Sequence, residues 1–119
     1  MINFRKLYLS FKRAFQGLKV AISEEQTFKI QVVAGIIVLF LMFYFPLIAL
    51  ERAILILVII LVLGLELINS QIERILDFLQ PNHDPKIKRI KDLSASAVLI
   101  ASLGSIIIAF LILLPYFLK

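Results

Sequence analysis

Apolar and polar positions divide the chain into four stretches. Over residues 2–22, Phe4, Leu7, Phe11, Phe15, Leu18 and Ile22 recur at spacings of three and four, the repeat of one helix face. Arg5, Lys6, Lys12, Arg13, Gln16 and Lys19 fill much of the other surface. A basic face opposite one of Phe and Leu predicts a helix lying in a membrane interface, within residues 1–24. Ser23-Glu24-Glu25-Gln26 breaks this pattern. Ser23 is expected to cap a new helix, with Gln26 as its reciprocal partner. Glu24 and Glu25 would then lie in the first turn, where the helix dipole favours anions. On spacing alone Glu25 is only a weak candidate metal ligand.

The remaining stretches are long and apolar. Residues 28–50 predict a first spanning helix, in which only Gln31 interrupts the run from Ile30 to Phe45. Pro46 is expected to end or kink it near the far surface. Ala34 and Gly35 suit a close helix contact. Leu47 to Arg52 reads as a short turn whose only charges are Glu51 and Arg52. A second helix is expected over 51–79. A crossing takes about 20 apolar residues, and Ala53 to Leu65 supplies thirteen before Glu66. The crossing must therefore include Glu66 and Asn69, and Gly64 beside them would admit a neighbouring backbone. Gln80-Pro81-Asn82-His83-Asp84-Pro85 is a turn-rich loop. A third spanning helix follows over 86–118, with proline suiting its first position. It starts with Lys86, Lys88, Arg89, Lys91 and Asp92, then carries no charge from Leu93 to Leu118. Its small residues, among them Ser94, Ser96, Ser102, Gly104 and Ser105, allow tight packing.

Composition agrees with one all-α integral membrane domain over residues 1–119. The chain is 61% hydrophobic with a mean hydropathy of +1.01, outside the usual range of soluble domains. Without cysteine, disulfides and thiolate chemistry are excluded. The net charge of +5 is grouped, which points to topology and lipid headgroups before nucleic acid. Six Lys and Arg precede residue 30 and five lie between Arg74 and Lys91; only Arg52 and Lys119 fall elsewhere. The positive-inside rule then puts the N-terminus and the 80–90 loop in the cytoplasm. No cleavable signal pattern is evident, since the first apolar run starts near residue 30.

Chemistry concentrates where the second helix leaves the membrane. Glu66, Asn69, Glu73 and Asp77, spaced i, i+3, i+7 and i+11, share one helix face. Apolar neighbours flank Glu66 and Asn69 on both sides, and an ionisable group at that depth is a functional candidate by default. Two classes fit clustered carboxylates beside lysines at a membrane surface. In one, Glu25, Glu73 and Asp77 hold Mg²⁺ on a polyphosphate, Lys91 neutralises phosphate charge, and Glu66 deprotonates a lipid hydroxyl, which is phosphoryl transfer by positioning and electrostatics. In the other, the carboxylates line an ion or proton path in a small transporter subunit. The glycine-rich phosphate loops of soluble enzymes are absent. His83, the single histidine, reads as a loop residue.

E-L-I-N-S-Q-I-E-R-I-L-D followed by K-R-I-K-D-L-S-A-S-A-V-L resembles the signature of the bacterial diacylglycerol kinase and undecaprenol kinase family, E-x-x-N-[ST]-A-I-E-x-x-x-D and then A-K-D-x-x-x-A-A-V. The resemblance extends upstream through Phe15-x-Gly17-Leu18 and Glu25-x-x-Phe28-Lys29. It implies a homotrimer of three-helix subunits with a surface helix, in the bacterial cytoplasmic membrane, with ATP, Mg²⁺ and a membrane lipid as partners. It implies Glu66 as catalytic base with Asn69 beside it, and Glu25 and Glu73 as carboxylates holding the nucleotide's metal. It implies Asp77, Lys91 and Asp92 at the nucleotide, and Asn82, His83 and Asp84 in the loop covering it. Gln71 and Ile90 replace alanines of the pattern, Asp84 stands where histidine is frequent, and Gln31 where some members carry an acid or histidine. Leu113-Leu114-Pro115-Tyr116 resembles the ends of Gram-positive undecaprenol kinases. Together with the scarcity of hydrogen-bond donors, that favours undecaprenol over diacylglycerol as the expected lipid.

Overall fold

A computed structural model describes residues 1–119 as four helices and no strand. The first, α1, runs from Phe4 to Glu24. Its cap is Asn3, whose Oδ1 accepts from the N–H groups of Arg5 (3.1 Å) and Lys6 (3.2 Å). That satisfies two donors that a helix start leaves unpaired.

The second helix, α2, spans Gln26–Tyr44. The expected Ser23 cap does not form. Ser23 Oγ instead donates to Lys19 O (2.5 Å) within α1, a local bond open to serine once the helix continues past it. Glu24 closes α1, and Glu25 is the extended residue between the helices, with no cap bond from its side chain. Neither carboxylate therefore lies in a first helical turn. Six residues short of the expected end, α2 stops at Tyr44. Phe45 is extended (φ −91°, ψ 149°), the conformation forced on a residue before proline; Pro46 ends the helix rather than kinking it.

The third helix, α3, spans Ala49–Leu79. Glu51 Oε1 accepts from Ile48 N–H (3.1 Å), so Glu51 belongs to the helix start rather than to a turn before it. The 31 residues rise about 46 Å against a hydrocarbon core of about 30 Å. Its last turns therefore stand clear of the apolar layer. The fourth helix, α4, covers Pro85–Phe117. Asp84 Oδ1 accepts from Lys86 N–H (2.8 Å), and Pro85 at the first position gives up no hydrogen bond.

Packing centres on α3, which touches α2 and α4. At the end remote from α1, Leu55 is fully buried among Met42, Leu47 and Leu113. Tyr116 Oη donates to Glu51 Oε1 there (2.6 Å), and Lys119 Nζ lies 5.1 Å from the Tyr116 ring centroid. Gly35 bears out the expected close contact: a Cβ on it would meet Ile59 Cγ2 at 3.3 Å. Gly64 does not, since nothing within the chain comes within 4 Å of a Cβ built there.

Only 12 of 119 residues are buried. Side chains such as Phe40, Phe43, Leu57, Ile60, Ile107 and Leu111 point outward. Water would penalise that surface heavily. Helices α2, α3 and α4 are long and apolar enough to cross a membrane, and the chain is a multi-pass membrane protein.

Candidate active site

The polar groups gather where α1 meets α2 and α3 passes toward the 80–84 loop. Glu66, Asn69 and Ser70 are 5%, 7% and 8% exposed, although the first two are residue types that enter an interior only when paired or used. Glu66, Asn69 and Glu73 line a cleft of about 530 Å³ together with Glu25, Gln31 and Ser102. Helix α3 presents Glu66, Asn69 and Glu73 on one stripe; the α1–α2 junction brings Glu25, and α4 brings Ser102. Of the polar face expected on α3, Glu66, Asn69 and Glu73 line this cleft, whereas Asp77 does not.

Hydrogen bonding there is incomplete. Asn69 Nδ2 donates to Glu73 Oε1 over 3.4 Å, a weak contact. Asn69 Oδ1 and Gln31 Oε1 are buried without a partner. Burying an unmet acceptor costs about 1–3 kcal/mol, so the cleft keeps oxygen atoms that a cation or a donor would satisfy.

Arg74, half exposed, is tied to the α1–α2 junction. Its Nη2 and Nε donate to Glu25 Oε1 (2.6 and 3.1 Å), and Nη2 stands 3.7 Å from Glu24 Oε1. The pair is 49 positions apart in sequence, and no local periodicity joins them. It fixes the α1–α2 junction against α3 and aims Glu25. Gln31 was visible as the single polar residue in its run, but its place in the cleft required the packing of α2 on α3.

A second polar group lies beyond the cleft. Asp77, Asn82, His83, Asp84, Lys88 and Lys91 surround a pocket of about 210 Å³ under the α3–α4 loop. Lys91 Nζ is hydrogen-bonded to Asp77 Oδ1, joining two residues from different helices. The Asp84 carboxylate is engaged as the cap of α4. Asp92 stands apart on the exposed side of α4, where it accepts from Lys88 Nζ (2.7 Å). Lys91 thus bears on the loop pocket, whereas Asp92 lines neither cavity.

Oxygen donors of this kind suit Mg²⁺, which takes one or two protein carboxylates and fills its octahedron with phosphate oxygens and water. No three acids converge closely enough to hold a cation unaided. Glu25, Glu73 and Asn69 line one cleft, oxygen donors of a kind suited to an ion that brings further ligands with it.

The chain is similar to known proteins over most of its length. The family pattern described as prokaryotic diacylglycerol kinase matches residues 12–113. A diacylglycerol kinase of Helicobacter pylori is 36% identical over 98 residues, 82% of this chain and 77% of that protein. An undecaprenol kinase of Bacillus subtilis is 34% identical over 113 residues, 95% and 92% of the two chains. A diacylglycerol kinase of Synechocystis is 32% identical over 110 residues, 92% and 63%. The family pattern takes in the latter part of α1, all of α2 and α3, α4 up to Leu113, and every polar residue of the cleft. Four helices, three of them fit to cross a membrane, and carboxylates gathered at the end of the second agree with it, so the chain belongs to the prokaryotic diacylglycerol kinase family and is a membrane lipid kinase rather than a transporter subunit.

Proposed function

We propose that the protein transfers the γ-phosphate of ATP to the primary hydroxyl of a membrane lipid at the Glu66 cleft, with undecaprenol preferred to diacylglycerol. The observation that carries this reading is Glu66 itself. A carboxylate 5% exposed, in a helix that crosses the apolar layer, opens into a cleft shared with Glu25, Asn69 and Glu73. A lipid hydroxyl reaches that depth without leaving the membrane.

Glu66 takes the proton of the hydroxyl as its oxygen attacks the γ-phosphorus. The bond to the β–γ bridging oxygen breaks, and ADP departs with that oxygen. Asn69 holds the stripe between Glu66 and Glu73 in register. Glu25 and Glu73, with Asn69 Oδ1, would hold Mg²⁺, which when bound neutralises charge on the phosphates. Lys91 leaves Asp77 for a phosphate oxygen, a stronger and more highly charged partner. Asn82 and His83 close over the nucleotide. Asp84 contributes by shaping that loop, its carboxylate being engaged at the start of α4. Asp92 takes its place at the nucleotide from the family resemblance.

The lipid preference rests on donors. Diacylglycerol carries two ester carbonyls, and a site built to hydrogen-bond them discriminates against ligands without them. Ser96 Oγ is already committed to Leu93 O (2.6 Å), and Ser105 Oγ to Ser102 O (2.8 Å). Two hydroxyls near the cleft are thus already engaged, while Thr27 and Ser102 line the cleft itself. Purified protein given a polyprenol and a diacylglycerol in the same detergent, with labelled ATP, is expected to show the higher kcat/KM for the polyprenol. The reverse order overturns the preference and leaves the phosphotransfer intact.

A further inference from the structure

Glu25 belongs to two cavities at once. One is the polar cleft that it shares with Asn69 and Glu73. The other is a recess of about 630 Å³ between α1 and α3, lined by residues that include Arg13, Gln71 and Arg74. Arg74 lines the recess and not the cleft. From there its Nη2 and Nε both donate to a single carboxylate oxygen, Glu25 Oε1 (2.6 and 3.1 Å). Bonds between ionised partners are shorter and stronger than neutral ones. The Glu25 side chain is only 24% exposed, so water screens it less than an open surface carboxylate. The backbone of Glu25 is held independently of this pair. Its N–H donates to Ala21 O (2.9 Å), and its carbonyl accepts from Lys29 N–H (3.1 Å). A second carboxylate lies beside the guanidinium, with Glu24 Oε1 3.7 Å from Nη2.

We propose that Arg74 is a built-in counter-ion for Glu25, which the carboxylate must give up before it can serve as ligand to a divalent cation. The inference rests on the reading of Glu25 and Glu73 as metal carboxylates. A carboxylate oxygen that accepts two guanidinium N–H groups attracts a hard cation less, so Arg74 lowers the affinity of Glu25 for the free ion. No three acids converge to offset that loss. Glu25 therefore exchanges the guanidinium for an ion whose remaining ligands are already supplied, as on a polyphosphate, in preference to a hydrated ion alone. The exchange needs only side-chain movement: Glu24 receives the guanidinium, and the backbone of Glu25 stays in place. Arg74 is thus a positioning residue that acts through Glu25 and makes the site selective for the metal–nucleotide pair.

The test is Mn²⁺ titrated into purified nucleotide-free protein, with the bound ion read by electron paramagnetic resonance. Arg74→Gln is expected to bind Mn²⁺ about fivefold more tightly than wild type, the scale of one partly screened ion pair. Arg74→Lys keeps the charge but loses the guanidinium fork, and its affinity should fall between the two. Unchanged or weaker binding in Arg74→Gln overturns the proposal, because an arginine that served only to hold Glu25 in place would weaken the site when removed. Should Arg74→Gln fail to fold, Arg74→Lys carries the same test, and an affinity no higher than wild type overturns the proposal. Glu24→Gln is expected to weaken Mn²⁺ binding, and to do so less when Arg74→Gln is also present; an equal effect in both backgrounds overturns the exchange. The underlying reading is judged separately, by Mn²⁺ binding in the presence of a non-hydrolysable ATP analogue. Binding that survives Glu25→Ala there refutes Glu25 as a metal ligand, whereas the affinity of the Arg74 variants judges the counter-ion.

Discussion

Glu66 and Arg74 lie eight positions apart on α3, and the sequence allowed very different readings of them. Glu66 announced itself because thirteen uncharged residues precede it and a crossing cannot be completed without it. Arg74 looked like one more charge on a helix leaving the membrane, and its bond to Glu25 exists only once α1 and α2 are folded back on α3. The metal assignment makes a residue-level prediction. Glu25→Ala and Glu73→Ala should each abolish Mg²⁺-dependent nucleotide binding, measured by titration calorimetry, while binding of the lipid is retained. Normal nucleotide affinity in both variants would refute the pairing. The loop residue Asp84 makes another. Its carboxylate caps α4, so Asp84→Ala should lower the unfolding free energy by about 1 kcal/mol, whereas Asp84→Ser should restore most of it. Equal stability of the two variants would show that the carboxylate's value lies elsewhere.

Among the elements, the long apolar helices were the most legible, because length and hydropathy suffice for them. Their ends were less so. Pro46 stopped α2 at Tyr44 by constraining the residue before it, and α3 began earlier than the first charge suggested because Glu51 reaches back to the Ile48 amide. The α1–α2 junction misled the capping argument: a serine followed three residues later by glutamine has the right form, but Ser23 found a carbonyl within its own helix first. Gly35 carries the element-scale prediction. Its place against Ile59 means that Gly35→Val overpacks the α2–α3 contact, at a cost of about 1–3 kcal/mol, read as a lowered Tm in detergent. Gly64→Ala, with open space around it within the chain, should leave Tm near wild type unless copies of the chain meet there.

The whole molecule exposes a surface that one chain in water could not sustain, with 12 of 119 residues buried. The bilayer accounts for part of it. The trimer proposed from the family resemblance would cover more and would bring further groups to the orphaned oxygens of Asn69 and Gln31. The Lys and Arg distribution supports an N-terminus in the cytoplasm and a C-terminus outside. Single cysteines introduced at Lys6 and Lys119, on this cysteine-free background, should react with impermeant reagents from opposite sides, and crosslinking should stop at three subunits. The central claim is that a lipid hydroxyl loses its proton to Glu66 and receives the phosphate. Its most direct test is transfer of labelled γ-phosphate from ATP to lipid by purified wild-type and Glu66→Gln protein, compared at equal oligomeric state and equal Tm. The amide keeps the size and much of the hydrogen bonding but lacks the basic oxygen, and general-base catalysis contributes about 10²–10⁴-fold. A loss of that order in kcat, with the fold intact, is the predicted result; turnover near wild type would contradict the account.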